Sequence, residues 1–474
     1  MSPTPITRGA RRAAVLALLA PAFAAAQSPR NAAVDRVFAQ WDDPGSPGCA
    51  LGVVRDGRLV YERGYGMANL DYDIPNGPSM VYYIGSDSKQ FTAAAVAMLA
   101  LRGQLSLDDD VRKYFPELPD YGAPVRIRHL IHHTSGIRDI YTLMSLRGDR
   151  LEDVFPDSQA LALIARQRGL AFPPGSAYSY SNSGYFLLAQ LVKRVSGRSL
   201  REFADAEIFK PLGMTSTHFH DDPGHVMKNR AMSYERNANG GFRISYLQNF
   251  DKVGAGGLYS TVRDLQRWDQ NYYSHKVGGE ALQALIHTRG VLTNGDTLPY
   301  AFGNNVTTYR GLRTVEHGGS MMGYKAYIAR YPDQQLTVLT TCNLGSIDPG
   351  PLAHSVATVF LSGMMGPEPK KVAAPAAAAF VTAPFARPVE DAARYVGEYY
   401  SDDLDVIFRI VRREDGSLRL FIPRQSPQLL DSQVGDRFDA GPIHLNFKGA
   451  GRTAEVMYVD VARMGMIMFR RREP

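Results

Sequence analysis

Ser86-Asp-Ser-Lys89-Gln-Phe-Thr-Ala-Ala-Ala-Val-Ala-Met-Leu-Ala-Leu-Arg102-Gly103 is the stretch on which the reading of this chain turns. Phe91, Ala93 to Val96, Met98 and Leu99 make it apolar nearly all round, and Gly103 closes it. The pattern predicts a helix from Ser86 to Arg102, and a helix without a polar face belongs in the centre of a domain. Ser86 and Lys89, three residues apart, lie on one face of its first turn, where hydroxyl and amine meet. A serine hydroxyl is a poor nucleophile until a base takes its proton. A lysine is such a base only when neutral, and both burial and the positive end of a helix favour the neutral form. The same helix end offers the Ser86 amide to a developing oxyanion.

Outward from this helix the chain divides. Towards the N-terminus, Ala33 to Trp41 reads as an amphipathic helix. Cys49 to Val54 and Arg58 to Tyr61 read as a hairpin turning at Asp56-Gly57. From about Asp108 to Tyr246 helices alternate with Gly and Pro punctuation. Strand-like sequence returns at Arg313–Glu316, Lys325–Arg330 and Leu336–Thr341, the last two joined by a Pro332-Asp333 turn. A helix follows at His354–Leu361. Strands at both ends with helices between predict one sheet built from distant parts of the chain. An Ala- and Pro-rich run, 366–390, reads as a linker. Beyond it, short alternating runs at Val406–Val411, Leu418–Ile422, Ile443–Phe447, Met457–Val461 and Met466–Phe469 predict a small antiparallel barrel or sandwich over 391–474.

The first 26 residues have the form of a secretory signal. Arg8, Arg11 and Arg12 precede an apolar stretch, Ala13 to Ala20, and small residues follow up to Gln27. Adjacent Arg11-Arg12 also permits twin-arginine export. The expected domains are therefore 1–26 as signal peptide, 27–365 as the main domain, 366–390 as linker and 391–474 as the C-terminal β domain. Localisation is expected to be periplasmic or secreted, with no stable membrane anchor after cleavage. Without the three early arginines the formal charge falls from +6 to +3, and no basic run with interleaved aromatics appears. Nucleic-acid binding has no support in this composition. Two cysteines, Cys49 and Cys342, are too few for a disulfide scaffold and lack zinc-site spacing, although an exported chain can oxidise them as a pair.

Two further motifs carry chemistry. Tyr180-Ser-Asn182 follows Pro173-Pro-Gly175 and precedes a helical run, Tyr185 to Val195. A tyrosine beside a lysine relays protons between nucleophile and leaving group, and an asparagine holds the lysine while bonding a substrate carbonyl. His317-Gly-Gly-Ser320 is placed immediately after the strand Thr314–Glu316. Gly318 and Gly319 there leave room for a substrate along the backbone, with the Ser320 amide completing an oxyanion hole. His132-His133 does not read as a metal pair, because neighbours on a helix point to different faces. Asp108-Asp-Asp110 reads as a helix start.

In these three motifs the chain resembles the serine β-lactamase-related hydrolases, whose signatures are Ser-x-x-Lys, Tyr-x-Asn and Lys/His-x-Gly in that order. Leu130-Ile-His-His-Thr-Ser-Gly-Ile137, Pro211-Leu-Gly-Met214, Ala255-Gly-Gly-Leu-Tyr-Ser-Thr261 and Tyr331-Pro-Asp333 extend the similarity over Val34 to Leu361. The group includes class C β-lactamases, D-alanyl-D-alanine carboxypeptidases, D-aminopeptidases and esterases. The resemblance implies an α/β (α+β) fold, a mainly antiparallel five-stranded sheet beside an all-helical region. It implies acyl transfer through Ser86, with Lys89 and Tyr180 catalytic and Asn182, His317, Gly318, Gly319 and Ser320 binding substrate. It implies no metal or other cofactor, and a small-molecule or short-peptide substrate as partner, with cell-wall fragments among the candidates. In the family's sheet the first and last strands are antiparallel neighbours, which implies a Cys49–Cys342 disulfide. The departure is the third motif, where His317 and Gly318 replace the cation and hydroxyl that hold a lactam carboxylate in strong β-lactamases. Together with the C-terminal β domain this is more similar to the D-aminopeptidase and esterase branches. The alternatives are a class C-like β-lactamase and a non-catalytic penicillin-binding sensor.

Overall fold

The computed structural model describes residues 28–245, 249–368 and 391–472. The signal-peptide expectation and nearly all of the linker expectation lie outside the described residues. Among the described residues no helix is long and apolar enough to cross a membrane.

A six-stranded antiparallel sheet forms the backbone of the main unit: β1 (Cys49–Arg55), β2 (Arg58–Tyr65), β3 (Asn305–Tyr309), β4 (Leu312–Met321), β5 (Tyr324–Tyr331) and β6 (Leu336–Cys342). Their order is β3-β4-β5-β6-β1-β2, so the first strand pairs with the last. Asp56 and Gly57 both take positive φ in the hairpin between β1 and β2, the turn that Asp-Gly favours. Cys49 stands directly opposite Cys342 in the β1–β6 register, and a disulfide joins them.

The sheet carries one strand more than the five expected. The extra strand, β3, is an edge strand with Thr307 and Thr308 exposed, so it lacks the buried alternate face that marks a strand in sequence. A second difference matters for chemistry. His317 to Ser320 do not follow a strand but lie within β4, where Gly318 pairs with Tyr327 and Gly319 with Ala326. The ladder continues through the two glycines because the backbone of Ile84 to Ser86 packs against the strand at that point. A Cβ on Gly319 would lie 1.8 Å from the Ile84 carbonyl oxygen.

On one face of the sheet, the helices Pro29–Phe38 and Pro349–Leu361 cover a core that includes Phe38, Leu51, Val338 and Val356. The other face carries the predicted central helix. It begins as a 3-10 turn, Gly85–Ser88, and continues as an α-helix, Lys89–Leu101, buried from Lys89 to Leu99. The helix Asn182–Ser196 packs beside it.

The C-terminal unit is a nine-stranded antiparallel sheet, nearly closed into a barrel. Its two end strands, Gln428–Leu429 and Asp431–Ser432, are separated in sequence by Leu430 alone, which brings the two edges of the sheet to one place. Apolar side chains of this barrel, Met464 and Leu404 among them, belong to the same continuous core as the central helix. The barrel is therefore seated on the helical part of the main unit. Arg138, almost fully buried, fixes the seat: it donates to the Met464 and Met466 carbonyls, to Gln167 and to the Asp403 carboxylate.

Candidate functional site

A cleft of 810 Å³ lies between the sheet and the helical region. Its walls include Ser86, Tyr180, Asn182, His317, Gly318, Gly319 and Ser320. All seven come from the three sequence motifs, and Lys89 sits directly beneath, with no solvent exposure.

Lys89 Nζ is held by three oxygens: Ser86 Oγ at 3.1 Å, Asn182 Oδ1 at 3.1 Å and the Ala255 carbonyl at 2.6 Å. Two of these can only accept. The amide of Asn182 cannot be turned around, because its Nδ2 donates to Asp139 Oδ2 at 2.8 Å. A neutral amine has two N–H donors and one lone pair. With its donors spent on Asn182 and Ala255, the lone pair faces the one partner able to donate, the Ser86 hydroxyl. The electrostatics agree. Burial lowers the Lys89 pKa from 10.5 to about 7, the nearby Asp139 carboxylate opposing and the Arg463 guanidinium assisting.

Tyr180 lies against the same amine, its ring centroid 4.7 Å from Nζ. Its hydroxyl is buried, and burial drives its pKa far up while the Ser86 side chain pulls it down. Tyr180 therefore remains a neutral O–H. The segment carrying it is positioned by His133, whose Nδ1 accepts from the Ser181 amide at 3.1 Å and whose ring centroid lies 4.2 Å from that of Tyr180. His133 takes φ +59°, an uncommon backbone for a non-glycine residue. His133, the second of the His-His pair, thus has a positioning role in the fold. Among the described residues no group of three His, Cys, Asp or Glu side chains is arranged to hold a metal ion.

The Ser86 and Ser320 amides, the expected oxyanion donors, come from two segments in backbone contact. A Cβ on Gly85 would lie 2.5 Å from the Ser320 amide nitrogen, and one on Gly319 would lie 3.0 Å from that of Ser86. Only glycine permits this approach, which brings the Ser86 and Ser320 amides to one corner of the cleft. His317 is buried and neutral: burial lowers its pKa to about 3, and Lys89 adds to the effect whenever it is protonated. Its Nδ1 faces the Gly318 carbonyl at 2.8 Å and its Nε2 the Tyr300 hydroxyl at 3.2 Å, so the network assigns the proton to Nδ1. His317 offers no positive charge to a substrate.

Several site residues escaped the sequence reading. Asp139 accepts from both the backbone and side-chain nitrogens of Asn182, and only its place two residues after the Ser135-Gly-Ile137 phrase hinted at it. Ala255 opens the phrase 255–261 shared with the family, but its carbonyl role has no side-chain signature. Arg463, from the C-terminal barrel, lines the cleft, and no motif marks it.

Residues 34–359 match the Beta-lactamase family, and the chain belongs to that family. It is 29% identical over 313 residues to a D-aminopeptidase of Gluconobacter oxydans (strain 621H), covering 66% of this chain and 58% of that protein. It is also 29% identical over 297 residues to a D-aminopeptidase of Brucella anthropi, covering 63% and 56%. The chain thus spans less than two thirds of the length of these curated relatives. Among solved structures, the octameric penicillin-binding protein homologue from Pyrococcus abyssi aligns with a TM-score of 0.63 at 23% identity, over 93% of this chain and 99% of that one. The D-amino acid amidase from Ochrobactrum anthropi SV3, complexed with D-phenylalanine, aligns at 0.59 with 19% identity, over 71% and 100%.

Proposed function

We propose that this chain is an exported serine hydrolase of the D-aminopeptidase type, acting on small amide or ester substrates through an acyl-enzyme on Ser86. The observation that carries the proposal is the buried Lys89 amine, 3.1 Å from Ser86 Oγ with its other two contacts fixed as acceptors. In this reading Lys89 takes the hydroxyl proton as Ser86 Oγ attacks the substrate carbonyl. The oxyanion that develops accepts from the Ser86 and Ser320 amides. Tyr180 delivers a proton to the leaving amine or alkoxide as the scissile bond breaks, and Lys89 reprotonates Tyr180. Water, deprotonated by the same pair, then releases the acid and restores the serine. Neutral His317 supports a peptidase or esterase over an efficient β-lactamase, since the third motif lacks the cation that a lactam carboxylate requires.

Export rests on the charged and apolar pattern of the first 26 residues. The division into a hydrolase domain to about residue 365 and a β domain from about 391 is part of the same proposal. The test is a fluorophosphonate adduct mapped to the peptide containing Ser86 and absent in Ser86→Ala. It is accompanied by turnover of p-nitrophenyl esters, D-amino acid amides, D-Ala-D-Ala peptides and a chromogenic cephalosporin. Binding of these compounds with no turnover of any of them would contradict the hydrolase reading and favour the sensor.

A further inference from the structure

Arg463 sits in the turn between the strands Val456–Asp460 and Ile467–Arg471 of the C-terminal barrel, yet it forms part of the wall of the cleft. Its guanidinium lies 5.3 Å from the Tyr180 ring centroid. The turn is held firmly. Met464 is buried, Arg138 binds the carbonyls of Met464 and Met466, and Gly465 packs against Ala171. Arg138 is also tied to the catalytic machinery, since its own carbonyl accepts from Ser183 and its neighbour Asp139 holds Asn182. Arg463 itself takes φ +72°, a conformation that a non-glycine residue keeps only where its surroundings impose it. The barrel is thus built to present this side chain at the cleft.

Arg463 is exposed and makes no ion pair or side-chain hydrogen bond among the described residues. The other charged side chains on the cleft wall each have a hydrogen-bond partner. Lys325 Nζ donates to Ser320 Oγ at 2.8 Å, and Asp348 caps the helix Pro349–Leu361 through the Gly350 amide. His317 is neutral and Lys89 is buried below the floor. Two cations thus stand on the cleft wall, Lys325 with one donor spent on the Ser320 hydroxyl and Arg463 with its whole guanidinium free of hydrogen bonds among the described residues. The planar fork of Arg463 matches a carboxylate, and the cation–π contact with Tyr180 keeps the guanidinium at the cleft.

We propose that Arg463 is a specificity-determining residue that receives a free carboxylate of the substrate, so the preferred substrates are small amides or peptides bearing an anionic group near the scissile bond. This rests on the hydrolase reading above and assigns to the C-terminal domain the cation that the His317-Gly318 motif lacks.

The test compares D-alanyl-D-alanine with D-alanyl-D-alaninamide, which differ in the carboxylate alone. Binding is measured by calorimetry in the Ser86→Ala chain, so that it does not depend on turnover. With Arg463 present, the acid binds about ten- to hundredfold more tightly than the amide, the worth of one charge-assisted hydrogen-bonded contact. In Arg463→Ala the two ligands converge, and in Arg463→Lys an intermediate preference remains because charge persists without the fork. An equal preference with and without Arg463, no preference in the Arg463 chain, or no binding of either peptide would each overturn the proposal. Hydrolysis of a neutral p-nitrophenyl ester by the chain with Ser86 intact reports separately on the hydrolase reading. Loss of that activity sinks the reading while the binding ratio still decides the role of Arg463.

Discussion

Replacing Lys89 by methionine tests the unusual state of this amine through stability, without reference to any substrate. Below pH 7 the lysine is protonated both in the folded chain and in the unfolded one, so the folded state bears the whole unfavourable effect of burying the charge. Between about 7 and 10.5 the folded protein has released the proton while the unfolded chain still holds it, and the effect shrinks as pH rises. From these two pKa values, the handicap removed by Lys89→Met is about 5 kcal/mol at pH 6 and about 2 kcal/mol at pH 9. Methionine also leaves Asn182 Oδ1 and the Ala255 carbonyl without their donor, a loss of about 1 to 3 kcal/mol each that does not depend on pH. The sign of the net change at one pH is therefore not diagnostic, but its difference between the two is. Urea unfolding, followed by the fluorescence of Trp268 where it packs on Phe91 of the central helix, should show the methionine variant gaining about 2 to 3 kcal/mol relative to wild type at pH 6 over pH 9. Of the groups around Lys89, His133 and His317 are held low by burial and titrate below this window. Asp139 and Arg463 are common to both proteins. Asp87, pushed up by burial, is removed as a contributor by repeating the pair in an Asp87→Asn background. An identical difference between variant and wild type at both pH values would refute the reasoning, because it would mean an ordinary lysine.

Gly319→Ala should reduce kcat on a neutral ester by about a hundredfold or more, the usual effect of losing an oxyanion donor, since its methyl cannot coexist with the Ile84 carbonyl. Far-UV circular dichroism should remain that of the folded protein, which separates loss of the donor from loss of the fold. Arg138→Ala should destabilise the chain by about 2 to 4 kcal/mol, because the Met464 and Met466 carbonyls and the half-buried Asp403 carboxylate all lose their donor, as urea unfolding will report. The same variant should weaken the preference for acid over amide ligands, since the Arg463 turn loses its anchor.

Much of this architecture could be read from residues in order. Ser86 to Leu101 announced a buried helix by having no polar face, and Asp56-Gly57 announced its hairpin. The three motifs, each weak alone, were legible together because they occur in the family's order and spacing, and they meet in one cleft. What escaped has physical reasons. The edge strand Asn305–Tyr309 buries no continuous face, so its alternation is faint. The strand through His317–Ser320 was cut short because glycines usually end strands, whereas here they admit the backbone of Ile84 to Ser86. Asp139 and Arg138 act through contacts with residues distant in sequence, and Arg463 reaches the cleft only because the barrel docks on the helical region. Docking of that kind leaves no local pattern to read.

The most direct test of the central claim is the pH dependence of Ser86 acylation by a neutral fluorophosphonate, whose own charge does not change over the range. If Lys89 is the base, the second-order rate should rise tenfold per pH unit on the acid side and level off through an apparent pKa of about 7, with Asp139, Arg463 and Asp87 setting the position of that midpoint. A rate still climbing at pH 10, or one indifferent to pH between 5 and 9, would contradict the account.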